Sequence, residues 1–159
     1  MKYRRTIDYR ALADFRYEIR RFLNFSESAA RAAGMEPHQH QALLAIRGQR
    51  KGALVTVGVL AERLQIQHHS AVELSCRLRN KKLIYRSRGH QDRREVVLRL
   101  TPRAEHLLLG LSLTHSKELE LAGPRLIEAL RRVLSARCSE GTTKATKSTS
   151  IKESKSKGI

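Results

Sequence analysis

Between residues 37 and 101 the sequence changes its apolar spacing several times over a short span, and that succession limits the fold more than any other feature. Pro37 suits the first turn of a helix whose apolar positions are Ala42, Leu43 and Ile46 and which ends near Gly48. Residues 49–54 then read as a basic loop. Thr56 is an N-cap candidate for a short helix presenting Leu60, Ala61 and Leu64. Gln65-Ile66-Gln67 forms the bend before a second helix over residues 68–82, with Ala71, Leu74 and Leu78 on its inner face. Residues 83–88 and 95–100 are extended runs around Gly89-His90-Gln91-Asp92-Arg93. In the second run Val96, Leu98 and Leu100 alternate against Val97 and Arg99.

Helix, tight turn, helix and hairpin in that order make a winged helix-turn-helix, and longer helical patterns flank it. Ahead of it, Phe15, Ile19, Phe22, Leu23, Ser26, Ala29, Ala30 and Ala33 recur at three- and four-residue steps, and Gly34 follows as a stop. Behind it, Thr101-Pro102 reads as N-cap and first residue of a helix with Leu107, Leu108, Leu111, Leu119 and Leu121 that breaks at Gly123. Pro124 is expected to start a last helix through Leu126, Ile127, Leu130, Val133 and Leu134. The fold class is therefore mainly α with a small two-stranded β wing. Residues 1–137 form one domain, with the winged unit at 37–101 and flanking helices at 9–34 and 102–137; residues 138–159, mostly Ser, Thr and Lys, read as a disordered basic tail.

The charge says where a partner would sit. The net charge is +17, far beyond what solubility asks for, and points to a polyanion. Residues 37–101 hold 13 basic and 4 acidic side chains, so over half of the excess lies within patterned segments and must form a face on folded structure. No apolar run approaches the roughly 20 residues that span a bilayer, and no membrane partner is expected. Met1-Lys2-Tyr3-Arg4-Arg5 is followed by Asp8, Asp14 and Glu18 rather than by a signal-peptide core. With only Cys76 and Cys138, a reducing cytoplasm fits.

An α-helix fits the major groove of B-DNA. The helix over 68–82 carries His68, His69, Ser70, Val72, Glu73, Cys76 and Arg77 on its outer face. Ser and His can hydrogen-bond base edges, Val72 can meet a thymine methyl, and Glu73 can accept from a cytosine amino group. Arg77, Arg79, Lys81 and Lys82 lie later, where phosphates are the natural targets. The hairpin adds Arg86, Arg88, Gln91, Asp92, Arg93 and Arg94, and its tip is shaped to place a guanidinium in the narrow minor groove.

Three stretches carry a family resemblance: Val57-Gly58-Val59-Leu60-Ala61-Glu62-Arg63-Leu64, His69-Ser70-Ala71-Val72-Glu73-Leu74, and Asp92-Arg93-Arg94 leading to Leu98-Arg99-Leu100-Thr101. Together they resemble the MarR family of bacterial transcription regulators, whose wing reads Asp, any residue, Arg, then a strand ending in Leu-Thr and a helix. The likeness covers roughly residues 10–137. It implies a homodimer formed through the first and last helices, presenting two recognition helices to a pseudo-palindromic stretch of double-stranded DNA. It also implies repression relieved by a small-molecule effector; no other cofactor is expected. By the same resemblance Arg94 enters the minor groove and Asp92 orients it. Two positions depart from the pattern: Lys82 and Ala104 stand where the family commonly has Gly. Lys82 is expected to strain the helix end or alter it, and Ser75, replacing an apolar inner residue, to bond back to a carbonyl one turn earlier.

Other readings are weaker. His38 and His40 point about 200° apart on a helix and cannot share an ion, so they read as surface or dimer-interface residues. Cys76 reads as a small, partly buried residue rather than an oxidant sensor. The acids are scattered, with no nucleophile and base, no Gly-rich phosphate loop and no H-E-x-x-H, so an enzyme is not expected. The alternative class is a small RNA-binding or ribosome-associated protein, but only Tyr85 lies near the basic face to stack on a base.

Overall fold

The computed structural model describes residues 7–50, 53–89 and 95–135. Among them the elements are α1 (Tyr9–Ala32), α2 (Pro37–Arg47), α3 (Val57–Leu64), α4 (His68–Asn80), β1 (Ile84–Arg88), β2 (Val96–Leu100) and α5 (Pro102–Ser135). The tail at 138–159 and the wing tip lie outside the described residues. The helices start where side chains satisfy their first amides. Asp8 accepts from the Ala11 amide at 2.9 Å, Thr56 from that of Val59 at 3.3 Å and Thr101 from that of Ala104 at 3.2 Å.

Three helices end in the same turn. In α1 the Met35 amide donates to Ala30 O and the Gly34 amide to Arg31 O; Ile66 to Ala61 with Gln65 to Glu62, and Leu83 to Leu78 with Lys82 to Arg79, repeat the pattern after α3 and α4. Each is a Schellman turn, whose penultimate residue must enter the left-handed region. Gly34 does so freely at φ 72°, whereas Gln65 and Lys82 do so at 53° and 56° with a Cβ, at roughly 1–2 kcal/mol each. Lys82 thus leaves the ordinary turn intact and bears the strain itself. Ser75 bonds back as expected, its Oγ donating to Val72 O at 2.7 Å.

Two expectations fail. The C-terminal segment is one helix: α5 runs through Gly123 and Pro124 without a break. Pro124 removes one backbone bond, a cost of about 3 kcal/mol in a free helix. Here Ala122 and Ala129 on either side of it are buried, and Arg125 reaches Glu18 of α1 at 3.8 Å, so packing overrides the local preference. In β2, Val97 is buried alongside Leu98, and strict alternation is lost. The segment before α3 runs along β2, with Thr56 bridging Val97 and the Leu98 amide donating to Val55 O at 2.8 Å, and so covers the face assigned to solvent.

The sheet is antiparallel, with Ile84 opposite Leu100 and Arg88 opposite Val96. The main core gathers Leu43 and Ile46 of α2, Leu60 of α3, Leu74 and Leu78 of α4, Ile84 and Leu98 of the sheet, and Ala104, Leu108 and Leu111 from the start of α5. This head holds α4 by its inner face. The remainder of α5 lies along α1 as an arm.

Candidate nucleic-acid interface

Helix α4, to which the sequence assigns the groove-reading face, is presented by its neighbours rather than by its own cap. Its N-cap, Gln67, makes no side-chain cap hydrogen bond, so the first-turn amides and the positive end of the helix dipole face outward unquenched. Ala71, Leu74, Ser75 and Leu78 are buried against the head, while His68, His69, Glu73 and Arg77 are exposed and Ser70, Val72 and Cys76 half-buried. Of the outer face read from the sequence, His68, His69, Glu73 and Arg77 stand in solvent, while Val72 packs in part against the core.

The side chains on that face are not all free. Glu73 and Arg77 pair with each other at 2.9 Å across one turn. Both are about two-thirds exposed, so the pair is worth only about 0.3–0.5 kcal/mol and gives way readily to a base edge or a phosphate. Arg86 Nη1 donates to Cys76 Sγ at 2.7 Å, which ties β1 to α4 and draws this arginine toward the helix. Lys81 donates to Gln39 Oε1 of α2 at 3.1 Å. Arg88 is exposed at the end of β1, beside a wing base closed by the Gly89 amide donating to Glu95 O at 2.9 Å. Gln91, Asp92, Arg93 and Arg94 lie outside the described residues.

Residues 33–95 match the model of the MarR family, a span holding α2, α3, α4 and β1. The winged-helix unit of this chain is thus similar to that of the MarR family. Solved MarR-type structures extend the likeness to the arm. MepR of Staphylococcus aureus, a transcription regulator of the multidrug efflux pump MepA, superposes with a TM-score of 0.63 at 19% identity, over 84% of this chain and 96% of that one. A MepR point mutant bound to an oligodeoxyribonucleotide gives 0.58 at 22% identity, over 82% and 99%. AbsC, a MarR family transcriptional regulator from Streptomyces coelicolor, gives 0.63 at 17% identity, over 77% and 83%. At such identities the shared property is the fold. Comparison with curated protein sequences returns no match.

Sequence reasoning missed one cluster of this MarR-type fold. His40 of α2 is buried, not on the surface, and stacks on His115 of α5 with ring centroids 4.8 Å apart. His115 Nδ1 lies 2.6 Å from Leu111 O and its Nε2 2.8 Å from Ser26 Oγ. The carbonyl can only accept, so Nδ1 donates to it, and in that tautomer Nε2 accepts a hydrogen bond from the Ser26 hydroxyl. Phe22 and Phe25 of α1 pack edge-on against the same ring. Burial first, and the nearby His115 second, hold the pKa of His40 below its ordinary 6.5. The cluster joins α1, α2 and α5, the junction of head and arm. Among the described residues no group of three or more His, Cys, Asp or Glu could hold a metal ion, and no helix is long and apolar enough to cross a membrane.

Proposed function

We propose that this chain is a double-stranded-DNA-binding transcriptional regulator, acting as a homodimer on a pseudo-palindromic operator. The observation that carries the reading is α4 itself, held by a buried inner face with a polar, acceptor- and donor-bearing outer face at groove-reading size. In this reading His68, His69, Ser70, Val72 and Glu73 meet base edges, while Arg77, Arg86 and Arg88 meet phosphates. Gln91, Asp92, Arg93 and Arg94 serve the minor groove, with Asp92 orienting Arg94. That MepR, a protein of this fold, has been captured on an oligodeoxyribonucleotide supports the assignment.

The dimer is supported by the arm, where large apolar residues of α1 and α5 stand in solvent. Two copies joined there hold two α4 helices about 34 Å apart, one turn of duplex. A small molecule lodged between arm and head would change that separation and relieve repression. The protein works on chromosomal DNA in the cytoplasm, as a binding protein rather than an enzyme.

Selection of bound fragments from random duplex DNA, followed by gel-shift titration, tests the reading. Ser70→Ala and Glu73→Ala are expected to change the selected sequence more than total affinity, each lost base contact being worth about 1–3 kcal/mol. Arg94→Ala is expected to weaken operator binding strongly while leaving the fold unchanged. Equal losses on selected and random duplex for the α4 variants, or tighter binding to structured RNA than to any duplex, would sink it.

A further inference from the structure

Where α4 gives way to β1 and α5 begins, an open cleft of about 490 Å³ is lined by Arg79, Lys82, Tyr85, Thr101, Pro102 and Arg103, among others. Its cations come from three places in the chain: the last turn of α4, the turn after it and the first turn of α5. Among the described residues no carboxylate lines the cleft. Elsewhere helical arginines find acids one turn away, as Arg31 finds Glu27, Arg77 finds Glu73 and Arg132 finds Glu128. Among the described residues Arg79, Lys82 and Arg103 make no such pair.

The cleft is also fixed in shape. Thr101 Oγ1 donates to Lys82 O at 2.9 Å and accepts from the Ala104 amide, so one hydroxyl locks the turn bearing Lys82 onto the start of α5. Lys82 holds a left-handed backbone at φ 56° that a glycine would adopt freely, which keeps a cation at a position where the turn itself favours none. Tyr85 stands on the rim, well exposed. The 34-residue helix α5 begins here, but Glu105 in its first turn offsets its positive end, so the three side-chain charges carry the site. Three cations bordering one cleft with no acid partner among the described residues, two of them planar guanidinium groups, match a tetrahedral dianion better than a lone carboxylate.

We propose that this cleft is a phosphate-binding site, filled by a backbone phosphate of bound duplex or by a free organic phosphate. The first source rests on the DNA-binding function proposed above; the second does not. Filling the site would brace α4 against α5, and so couple the reading helix to the arm.

The test uses the full chain, the triple variant Arg79→Gln/Lys82→Gln/Arg103→Gln, and Lys82→Gly alone. In one arm, affinity for selected and random duplexes is measured against salt concentration. The duplex source predicts that the triple variant binds both about 10-fold more weakly, with a salt slope shallower by about 0.9 for the one phosphate lost. In the other arm, inorganic phosphate and a mononucleotide are titrated against chloride at matched ionic strength, with melting temperature and the tyrosine ring resonances as readouts. The free-phosphate source predicts a saturable effect on the parent that the triple variant loses. Lys82→Gly guards against misfolding, because it relieves the turn: it should melt no lower than the parent and still bind several-fold more weakly in whichever arm responds. If the parent binds duplex, yet the variants match it in affinity and slope and phosphate does nothing, the site is overturned and the DNA-binding function stands. If the parent prefers no duplex, the DNA-binding function falls and the phosphate arm alone decides the cleft.

Discussion

The head and the arm are built from the same helix-rich material and solve burial in opposite ways. In the head, large side chains go inward: Leu43, Leu60, Leu78, Ile84 and Leu98 are all fully buried, and each comes from a different element. In the arm, the buried residues are Ala11, Ala30, Ala122 and Ala129, while Tyr9, Leu12, Tyr17, Leu119, Leu121, Ile127, Leu130 and Leu134 are exposed. Small residues let α1 and α5 approach closely, and Glu18, paired with Arg21 along α1, reaches Arg125 of α5 across the seam. The head is complete in one chain. The arm leaves its large apolar side chains in solvent, and in the proposed dimer that face is where one copy meets the other, so stability and association would sit at opposite ends of the molecule.

The strongest challenge to that division is a truncation of leucine to alanine in each region. Leu60→Ala, at a site with no solvent exposure, should lower unfolding stability by about 2–5 kcal/mol, a large share of the roughly 5–15 kcal/mol that a domain has. Leu121→Ala, at a side chain 70% exposed, should change the stability of the isolated subunit by less than about 0.5 kcal/mol. Urea denaturation of the two variants at low protein concentration measures both, and equal losses would abolish the distinction. Next in size is the association term. Ile127→Asp with Leu130→Asp places two charges one turn apart on the exposed face of α5, and should raise the dimer dissociation constant by about 100-fold or more, ~2.7 kcal/mol. Helicity should be unchanged, since neither side chain is buried in the subunit. Sedimentation velocity across a dilution series checks this; a variant that stays dimeric at the parent's concentrations would remove the arm from the interface.

The head was far easier to read from the sequence than the arm, for a physical reason. Its elements are short and bounded by residues whose chemistry is local: Thr56 and Thr101 cap, Gln65 turns, and Ser75 finds a carbonyl within its own helix. The inner face of α4 follows from three apolar residues at helical spacing. What escaped were outcomes set by distant packing. Pro124 looks like a helix start until α1 is laid beside it, and Val97 looks solvent-facing until the strand-like approach to α3 covers it. The Arg86–Cys76 contact joins two elements whose relative placement no local pattern specifies. His40 and His115 lie far apart in the chain, and nothing in the spacing of either announces the other. The Glu73–Arg77 pair is different: the four-residue step was visible, and only the separate roles assigned to them, Glu73 to a base edge and Arg77 to a phosphate, obscured it.

The finest probe of the comparison acts where head meets arm. His40 is buried between α2 and α5, faces His115 across 4.8 Å and is held below its ordinary pKa by burial first and by that second imidazole next. In the unfolded chain it titrates near 6.5. The folded state therefore binds fewer protons than the unfolded state between the depressed value and 6.5, and stability falls as pH drops through that window; above it the contribution is fully present. Denaturant midpoints measured from about pH 7.5 to 5.5 should decline in the parent, before the carboxylates near pH 4 begin to titrate. His40→Phe keeps an aromatic ring against His115 and removes the titration, so its midpoints should decline less over the same range. His38→Phe, two residues away and exposed, should leave the parent's slope unchanged. If dimer dissociation tracks the same slope in the parent but not in His40→Phe, the junction transmits protonation from head to arm; if His40→Phe follows the parent's slope throughout, the stacked pair is only packing.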